Sequence, residues 1–335
     1  MMEKKEEKKL AILNVLRSID GPVSSSEISD ALSSVGQRVS ERTVRLYLKQ
    51  LDDHGLTESM GRRGRRITEA GINELDSSRI MDRVGFLSAK IDRMTFRMDF
   101  DLNKMAGTVV INITLVDPRE LSPRVNMICK VFEEAYAMGR LVCLFRPGER
   151  VGHVTVPDGM VGVGTVCSIT LNGVLLQHGV PTHSRFGGVL ELRDKTVTRF
   201  VEAITYEGTT IDPLEVFIRS GMTDYVGAIE TGNGRIGASF REFPAESRDL
   251  VEALAVRLNR VGLGGFVKIG LPGRALLEIP VSEGRFGAIV IGGLNPVSIL
   301  EETGVRAYSR ALAGLVDFSR LSPYQDLDSL VRACL

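Results

Sequence analysis

The sequence predicts an α+β protein in two parts, a small basic N-terminal domain and a larger, internally duplicated one with mixed sheets. Three observations predict it. Helical periodicity fills residues 8–54 and stops shortly before GRRGRR, Gly61–Arg66. Short apolar stretches between glycine and proline turns dominate from residue 106 onward. Landmarks in residues 139–185 recur at one fixed spacing in residues 264–310.

From Lys8 to Asp20, Leu10, Leu13, Leu16 and Ile19, with Ile12 beside them, recur at helical spacing, and Gly21-Pro22 ends the run. Ser24 followed by Glu27 is a capping-box spacing, with Ile28 and Leu32 on the apolar face of a short second helix. Ser40 reads as the N-cap of a third helix whose inward stripe is Val44, Leu48 and Leu51, ending near His54-Gly55. Leu56 to Met60 then predicts a strand, GRRGRR a glycine-permitted hairpin tip and Ile67 the return strand. Three helices followed by a basic hairpin is the order of a winged helix-turn-helix.

On the third helix, Arg42, Arg45 and Lys49 stand at spacings of three and four, turned away from the apolar stripe. In helix-turn-helix docking this helix enters the major groove with its N-terminal residues at base edges, so Ser40, Glu41, Arg42, Thr43 and Arg45 are the candidate readers, with Lys49 beyond them. Arg62, Arg63, Arg65 and Arg66 of the wing suit phosphates or the adjacent minor groove. Between Arg38 and Arg66 eight basic residues face four acidic ones, in a chain whose Lys+Arg and Asp+Glu totals are both 42. That local excess on a neutral chain predicts double-stranded DNA as the partner.

Ile80, Val84, Leu87 and Ile91 continue a helical stripe, after which Met94, Phe96, Met98, Phe100 and Leu102 alternate with polar residues at strand period. Beyond them the chain repeats itself. Arg146-Pro147-Gly148 answers to Leu271-Pro272-Gly273, Gly139 to Gly264, Gly159 to Gly284, Gly162 to Gly287, Gly179-Val180 to Gly304-Val305 and Ser184-Arg185 to Ser309-Arg310, always 125 residues apart. Each copy reads as a strand (Thr108–Leu115; Ile236–Phe240), a helix, a strand (Leu141–Phe145; Phe266–Ile269), a strand after the Pro-Gly turn, an apolar strand (Val163–Leu171; Ala288–Leu294), a short helix opened by Asn172 or Asn295-Pro296, and a final strand. The boundaries are 1–75 for the winged helix, 76–105 for a connector of helix and strand, 106–195 and 232–325 for the two repeats, and 196–231 for a segment with a further strand and the helix Asp212–Gly221. Two units related by a pseudo-two-fold leave a crevice between equivalent loops, a common place for a small ligand.

The N-terminus MMEKKEEKK leads into an amphipathic pattern without the apolar core of a signal peptide, and no apolar run approaches the roughly 20 residues of a spanning helix, which predicts a cytoplasmic protein. Cys129, Cys143, Cys167 and Cys334 show no CxxC spacing, so they read as reduced, with no zinc site or disulfide framework, and Cys143 and Cys167 as small buried hydrophobes. No catalytic constellation is visible: GVGT, Gly162–Thr165, lacks the lysine of a P-loop and the third glycine of a dinucleotide fingerprint. No enzyme, cofactor or metal is expected.

SERTVRLYLKQLDDHGLTESMGRRGRRITEAG, residues 40–71, followed by RVGFLSAKIDRMTFRMDFDLNKMAGTVVINITLV, residues 83–116, resembles the NrpR family of archaeal repressors. The likeness covers nearly the whole chain, and the connector-to-first-strand segment is its most specific part. It implies a dimeric repressor of nitrogen-fixation and nitrogen-assimilation genes on palindromic operators, released when 2-oxoglutarate accumulates, and in some members a contact with a PII-type signalling protein. Some members carry two regulatory domains in one chain. This chain reads as having one, acting alone or with a second, wingless subunit.

A 2-oxoglutarate site needs cationic or donor-rich ends, typically Arg forks, backbone N–H groups and hydroxyls. PTHSR places Thr182, His183, Ser184 and Arg185 at the start of a predicted strand, and Arg146, Arg150 and His153 flank the Pro-Gly turn of the same copy. The second copy keeps Ser309 and Arg310 and adds Arg306 but loses the histidine. Thr182, His183, Ser184, Arg185, Arg146 and Arg150 are therefore the candidate ligand residues. On the residues alone, a sensor of an amino acid or nucleotide stays open, as does a catalytic or structural α+β duplication with an accessory DNA-binding module.

Overall fold

The computed structural model describes residues 3–19, 21–34, 39–72, 75 and 86–335. It divides into two units, Met1–Gly85 and Phe86–Leu335. Arg38 and residues 76–85 of the predicted connector, with Ile80 and Val84, lie outside the described residues.

In the first unit, helices α1 (Glu3–Ser18), α2 (Ser25–Ser34) and α3 (Glu41–Asp53) precede a hairpin of β1 (Thr57–Ser59) and β2 (Arg65–Ile67). Ile12, Leu13, Leu16, Ile28, Leu32, Val44, Leu48 and Leu51 form its core, as the periodicity predicts, and Tyr47 joins them. Ile19 does not: it lies past the end of α1 and is exposed. The capping box closes as its spacing requires, with the Ser24 N–H donating to Glu27 Oε2 at 2.8 Å and the Glu27 N–H to Ser24 Oγ at 3.3 Å. Gly64 explains half of GRRGRR. Its φ is +110°, and a Cβ there would stand 2.3 Å from the Val23 carbonyl oxygen, because Val23 and Arg65 exchange both backbone hydrogen bonds and tie the wing to the α1–α2 turn.

The second unit opens with the helix Leu87–Arg97. This corrects the strand predicted over 94–102: Leu87, Ile91, Met94 and Met98 continue one helical stripe, and Phe96, on the opposite side, is 82% exposed. Period-two alternation over so few residues also satisfies a helix whose last turn is amphipathic.

The duplication is present, and its strands are exchanged. Each repeat runs strand, helix, strand, strand, helix, strand: Thr108–Val116, Val125–Glu133, Leu141–Phe145, Val161–Val166, Ile169–Gln177 and His183–Arg193, then Gly234–Pro244, Arg248–Arg260, Phe266–Ile269, Arg285–Ile291, Ser298–Glu302 and Tyr308–Asp317. The last strand of each leaves its own sheet and lies antiparallel to the first strand of the other, with Ser184 opposite Arg241 and Ser309 opposite Thr114. The exchange is reciprocal in register, since Arg241 lies 127 residues after Thr114 and Ser309 lies 125 after Ser184; within each repeat, Leu115 faces Gly162 as Glu242 faces Gly287. First strands and first helices correspond at a spacing of 127, marked by the left-handed helix ends Ala135 and Gly262. The second repeat then lacks two loop residues, which restores the spacing of 125 from Leu141 and Phe266 onward.

A fifth strand completes each sheet, on opposite edges. Thr196–Thr205 turns back at Asp194-Lys195 and pairs with 183–193, whereas Ser322–Pro323 pairs with 141–145. Three details differ from the sequence reading. The apolar strand of the first repeat ends at Val166, and Asn172 sits inside the following helix, which starts at Ile169. Tyr225–Thr231 and Leu327–Arg332 are additional helices. The strand expected after the Pro-Gly turn is a two-residue hairpin at Arg150–Val151 and Val154–Thr155 in the first copy and an isolated bridge, Leu276 to Ile279, in the second. The loops after the two first helices meet so closely that a Cβ on Gly139 would stand 2.1 Å from the Gly262 carbonyl oxygen.

Candidate functional site

Ser40 caps α3, its Oγ accepting from the Thr43 N–H at 3.3 Å, so the exposed first turn presents Arg42 and then Arg45 and Lys49 along one face. Arg42 and Lys49 have no side-chain hydrogen bond or ion pair with any described residue. Arg45 is held: it pairs with Glu41 at 2.6 Å and donates from Nε to Ser25 Oγ at 3.1 Å, while Ser25 donates to the same Glu41 oxygen. Leu46, which sequence reasoning passed over, is 57% exposed on this face between the cations.

The wing divides its arginines by role. Arg65 donates to Asp52 Oδ2 at 2.7 Å while Thr57 donates to Asp52 Oδ1, so this arginine ties β2 to the end of α3. Arg66 pairs across the hairpin with Glu58 at 2.7 Å. Arg63 is exposed at the tip, in a single turn of 3-10 helix, Gly61–Arg63, that also holds Arg62. Four adjacent arginines thus resolve into two at the tip and two that hold the hairpin. The carboxylate partners Asp52 and Glu58 were visible in the sequence; their register was not.

In the second unit the predicted ligand residues separate, because the strand exchange moves them to different sheets. His183, Ser184 and Arg185 start the strand beside 234–244, next to the second repeat's loop: Arg185 donates to Glu242 Oε1 at 2.8 Å and to the Pro280 carbonyl at 2.6 Å. His183 Nδ1 lies 3.8 Å from Glu242 Oε2, Ser184 accepts from Asn172, and Thr182 Oγ1 is buried without a hydrogen-bond partner. Arg146 and Arg150 belong to the first repeat's hairpin, which lies against Ala313 of the last strand; Arg150 donates to the Gly152 carbonyl, and Arg146 and His153 are exposed. The counterpart of Arg185, Arg310, is likewise engaged by a buried glutamate, Glu215, at 3.3 Å, and Arg306 is exposed.

Arg241 and Glu242, adjacent charges in the apolar run ASFREF, are both fully buried. Arg241 has neutral hydrogen-bond partners: the Ser168 carbonyl at 2.9 Å, Ser168 Oγ at 2.7 Å and Asn172 Oδ1. Burial holds its guanidinium below the ordinary arginine range, against the opposing pull of Tyr206, Cys167 and Asp212. The Asp212 carboxyl is pushed up to about 7 by burial and then by the Glu215 charge. Cys143 and Cys167 are pushed up to about 12, chiefly by burial, as expected of inert core thiols.

A cleft of about 1030 Å³ opens where the repeats meet. Its floor crosses one sheet at Val197, Leu192, Ile236, Ile291 and Phe266; its walls are the helix 248–260 and the segment 132–140. Arg140, Lys195 and Lys268 stand on it with Glu133 and Glu252, and Tyr136, whose hydroxyl is buried without a partner, lines it. Among the described residues no group of three or more His, Cys, Asp or Glu is placed to hold a metal, and no helix is long and apolar enough to cross a membrane.

The family described as NrpR regulatory domains NRD1 and 2 matches residues 84–323, and that described as the Ribonuclease R winged-helix domain matches residues 10–75. The global nitrogen regulator NrpRI of Methanosarcina mazei is 33% identical over 322 residues, covering 96% of this chain and 99% of that protein. The global nitrogen regulator NrpR of Methanococcus maripaludis is 30% identical over 310 residues, 92% of this chain but 54% of that protein, so the chain spans about half its length. The crystal structure of a nitrogen repressor-like protein from Methanococcus jannaschii matches with a TM-score of 0.61 at 25% identity, covering 71% of this chain and 98% of that one.

Proposed function

The chain belongs to the NrpR family of nitrogen regulators, and from that premise we propose that it is a repressor that binds palindromic operator DNA as a dimer and releases it when 2-oxoglutarate binds the regulatory unit. It is a regulator and not an enzyme. The observation that carries the DNA reading is the exposed face of α3, where Arg42 in the capped first turn and Lys49 two turns on are exposed without a partner among the described residues, in a domain whose wing has Arg63 at its tip. One winged helix reads few bases, so a dimer with half-sites about one helical turn, or a multiple of it, apart supplies the affinity. The effector reading follows from the family resemblance. A second regulatory chain or a PII-type protein is a further partner that the resemblance implies.

The test is fluorescence anisotropy on duplexes taken upstream of nitrogen-assimilation genes. Specific binding that 2-oxoglutarate weakens is expected. Equal affinity for operator and random duplex would remove the repressor reading, and operator binding indifferent to 2-oxoglutarate would remove the effector.

A further inference from the structure

Most of the residues predicted to read bases are already engaged inside the winged helix. The Ser40 and Thr43 hydroxyls bond to each other at 2.8 Å, and Glu41 Oε1 accepts from both Ser25 and Arg45. Arg45 is held in turn by Ser25 of α2, which draws its guanidinium to one side of α3. Of the five, Arg42 alone keeps its donors unengaged among the described residues.

A helix turns by about 100° per residue, so Arg42, Leu46, Lys49 and Asp53 fall within an arc of about 60°. That arc lies opposite Val44, Tyr47, Leu48 and Leu51, the buried side of α3, and all of its members are exposed. Leu46 is its one apolar member and takes no part in the core of its own domain. A single exposed leucine is ordinary. The surroundings of this one are not, because a cation without a partner among the described residues stands one turn before it and another one turn after it. A surface that covers Leu46 and satisfies Arg42 and Lys49 is therefore anionic with an apolar spot on it. The major groove of DNA offers such a spot in the C5-methyl group of thymine. Asp53 ends the stripe and repels phosphates, so the N-terminal half of α3 is the part that approaches, as in helix-turn-helix docking.

We propose that Leu46 reads sequence by packing on the C5-methyl group of a thymine, one or two base pairs from the pair read by Arg42. This rests on the DNA-binding reading above and adds to it a residue and a base. The separation follows from geometry: residues one turn apart on a helix are about 6 Å apart along its axis, and stacked base pairs about 3.4 Å. The contact uses no hydrogen bond, so it tells thymine from uracil by the methyl group alone.

Anisotropy with the full chain, on an upstream duplex that it binds specifically, tests this by replacing each thymine in turn with deoxyuridine. One thymine in each half-site should matter, and wild type should bind the substituted duplex about fourfold more weakly, the worth of one methyl group returned to water. The same substitution should have no effect on Leu46→Ala, because alanine is too short to keep the contact. Alanine is favourable at an exposed helix position, so the variant is expected to keep the wild-type thermal midpoint. Leu46→Met, an apolar side chain of similar volume, should restore most of the thymine preference. Indifference to every deoxyuridine, or a thymine preference that persists in Leu46→Ala, overturns the assignment and leaves the operator reading intact. A change in the sedimentation of the free chain on Leu46→Ala would mark a protein contact there and overturns it as well. Equal affinity of wild type for operator and random duplex removes both.

Discussion

Arg185 donates from Nη1 to Glu242 Oε1 at 2.8 Å, and the glutamate side chain it holds has no exposed surface. Burial raises the Glu242 carboxyl, but the Ser282 hydroxyl and N–H and then Arg185 outweigh it, so the group stays below the ordinary glutamate range. Removing one partner of such a pair leaves a buried charge uncompensated, at about 3–5 kcal/mol for full burial and less here because Arg185 is partly exposed. Arg185→Ala is therefore expected to lower the thermal midpoint of the regulatory unit, and Arg185→Ala with Glu242→Gln to recover most of it. A variant as stable as wild type would show the pair to be dispensable.

On DNA the free and the held arginines should separate. Arg42→Ala is expected to cost about 1–3 kcal/mol on the operator and relax the preference at one base position, whereas Arg63→Ala weakens all duplexes evenly and reduces the salt slope by about 1. Arg65→Ala should instead destabilise the winged helix, because its guanidinium holds Asp52. The contrast fails if Arg65→Ala lowers the salt slope with no loss of stability.

Asp212 gives the regulatory unit a pH dependence of known sign. Its folded carboxyl titrates near 7, above the ordinary aspartate value, so the stability linked to the neutral form is fully present below about pH 4 and is lost as pH rises through 7. Asp212 Oδ1 also accepts from the Leu214 N–H at 2.9 Å, a cap that asparagine preserves. Urea midpoints at pH 5 and pH 8 should fall with pH more in wild type than in Asp212→Asn. Parallel changes in the two proteins would remove Asp212 as the cause.

The C-terminal segment should behave as core. Leu327→Ala, at a fully buried position, is expected to cost about 2–5 kcal/mol. Cys129 should then react faster with thiol reagents, since its sulfur contacts Tyr324 in the same groove. Unchanged stability and reactivity would mean that this segment does not seal the first repeat.

Local signals made the winged helix legible: Ser24 with Glu27, Ser40 with Thr43, and Val44, Leu48 and Leu51 each state a short-range rule that the fold obeys. The repeat was legible too, since Gly148 and Gly273, Gly159 and Gly284, and Gly179 and Gly304 all take the left-handed backbone that only their spacing announced. Partnership between distant residues was not. Nothing near Arg185 in the chain points to Glu242, 57 residues on, and the strand exchange that joins them also parts Arg185 from Arg146 and Arg150. The cleft is hidden for the same reason, because Tyr136, Lys195 and Lys268 belong to three separate segments and no period links them.

Linkage gives the last prediction. If 2-oxoglutarate releases the operator, it binds the DNA-incompetent arrangement more tightly, and operator DNA must weaken 2-oxoglutarate binding by the same factor. A tenfold effect corresponds to about 1.4 kcal/mol. Titrating the preformed operator complex with 2-oxoglutarate should therefore give a tenfold weaker dissociation constant than titrating the free chain, if the effector raises the operator constant tenfold. Arg42→Ala, at the DNA face, should leave the free-chain constant unchanged while weakening operator binding. Two factors that disagree beyond experimental error would mean that release runs through a third species, such as a change in oligomeric state, and a dependence of both factors on protein concentration would identify it.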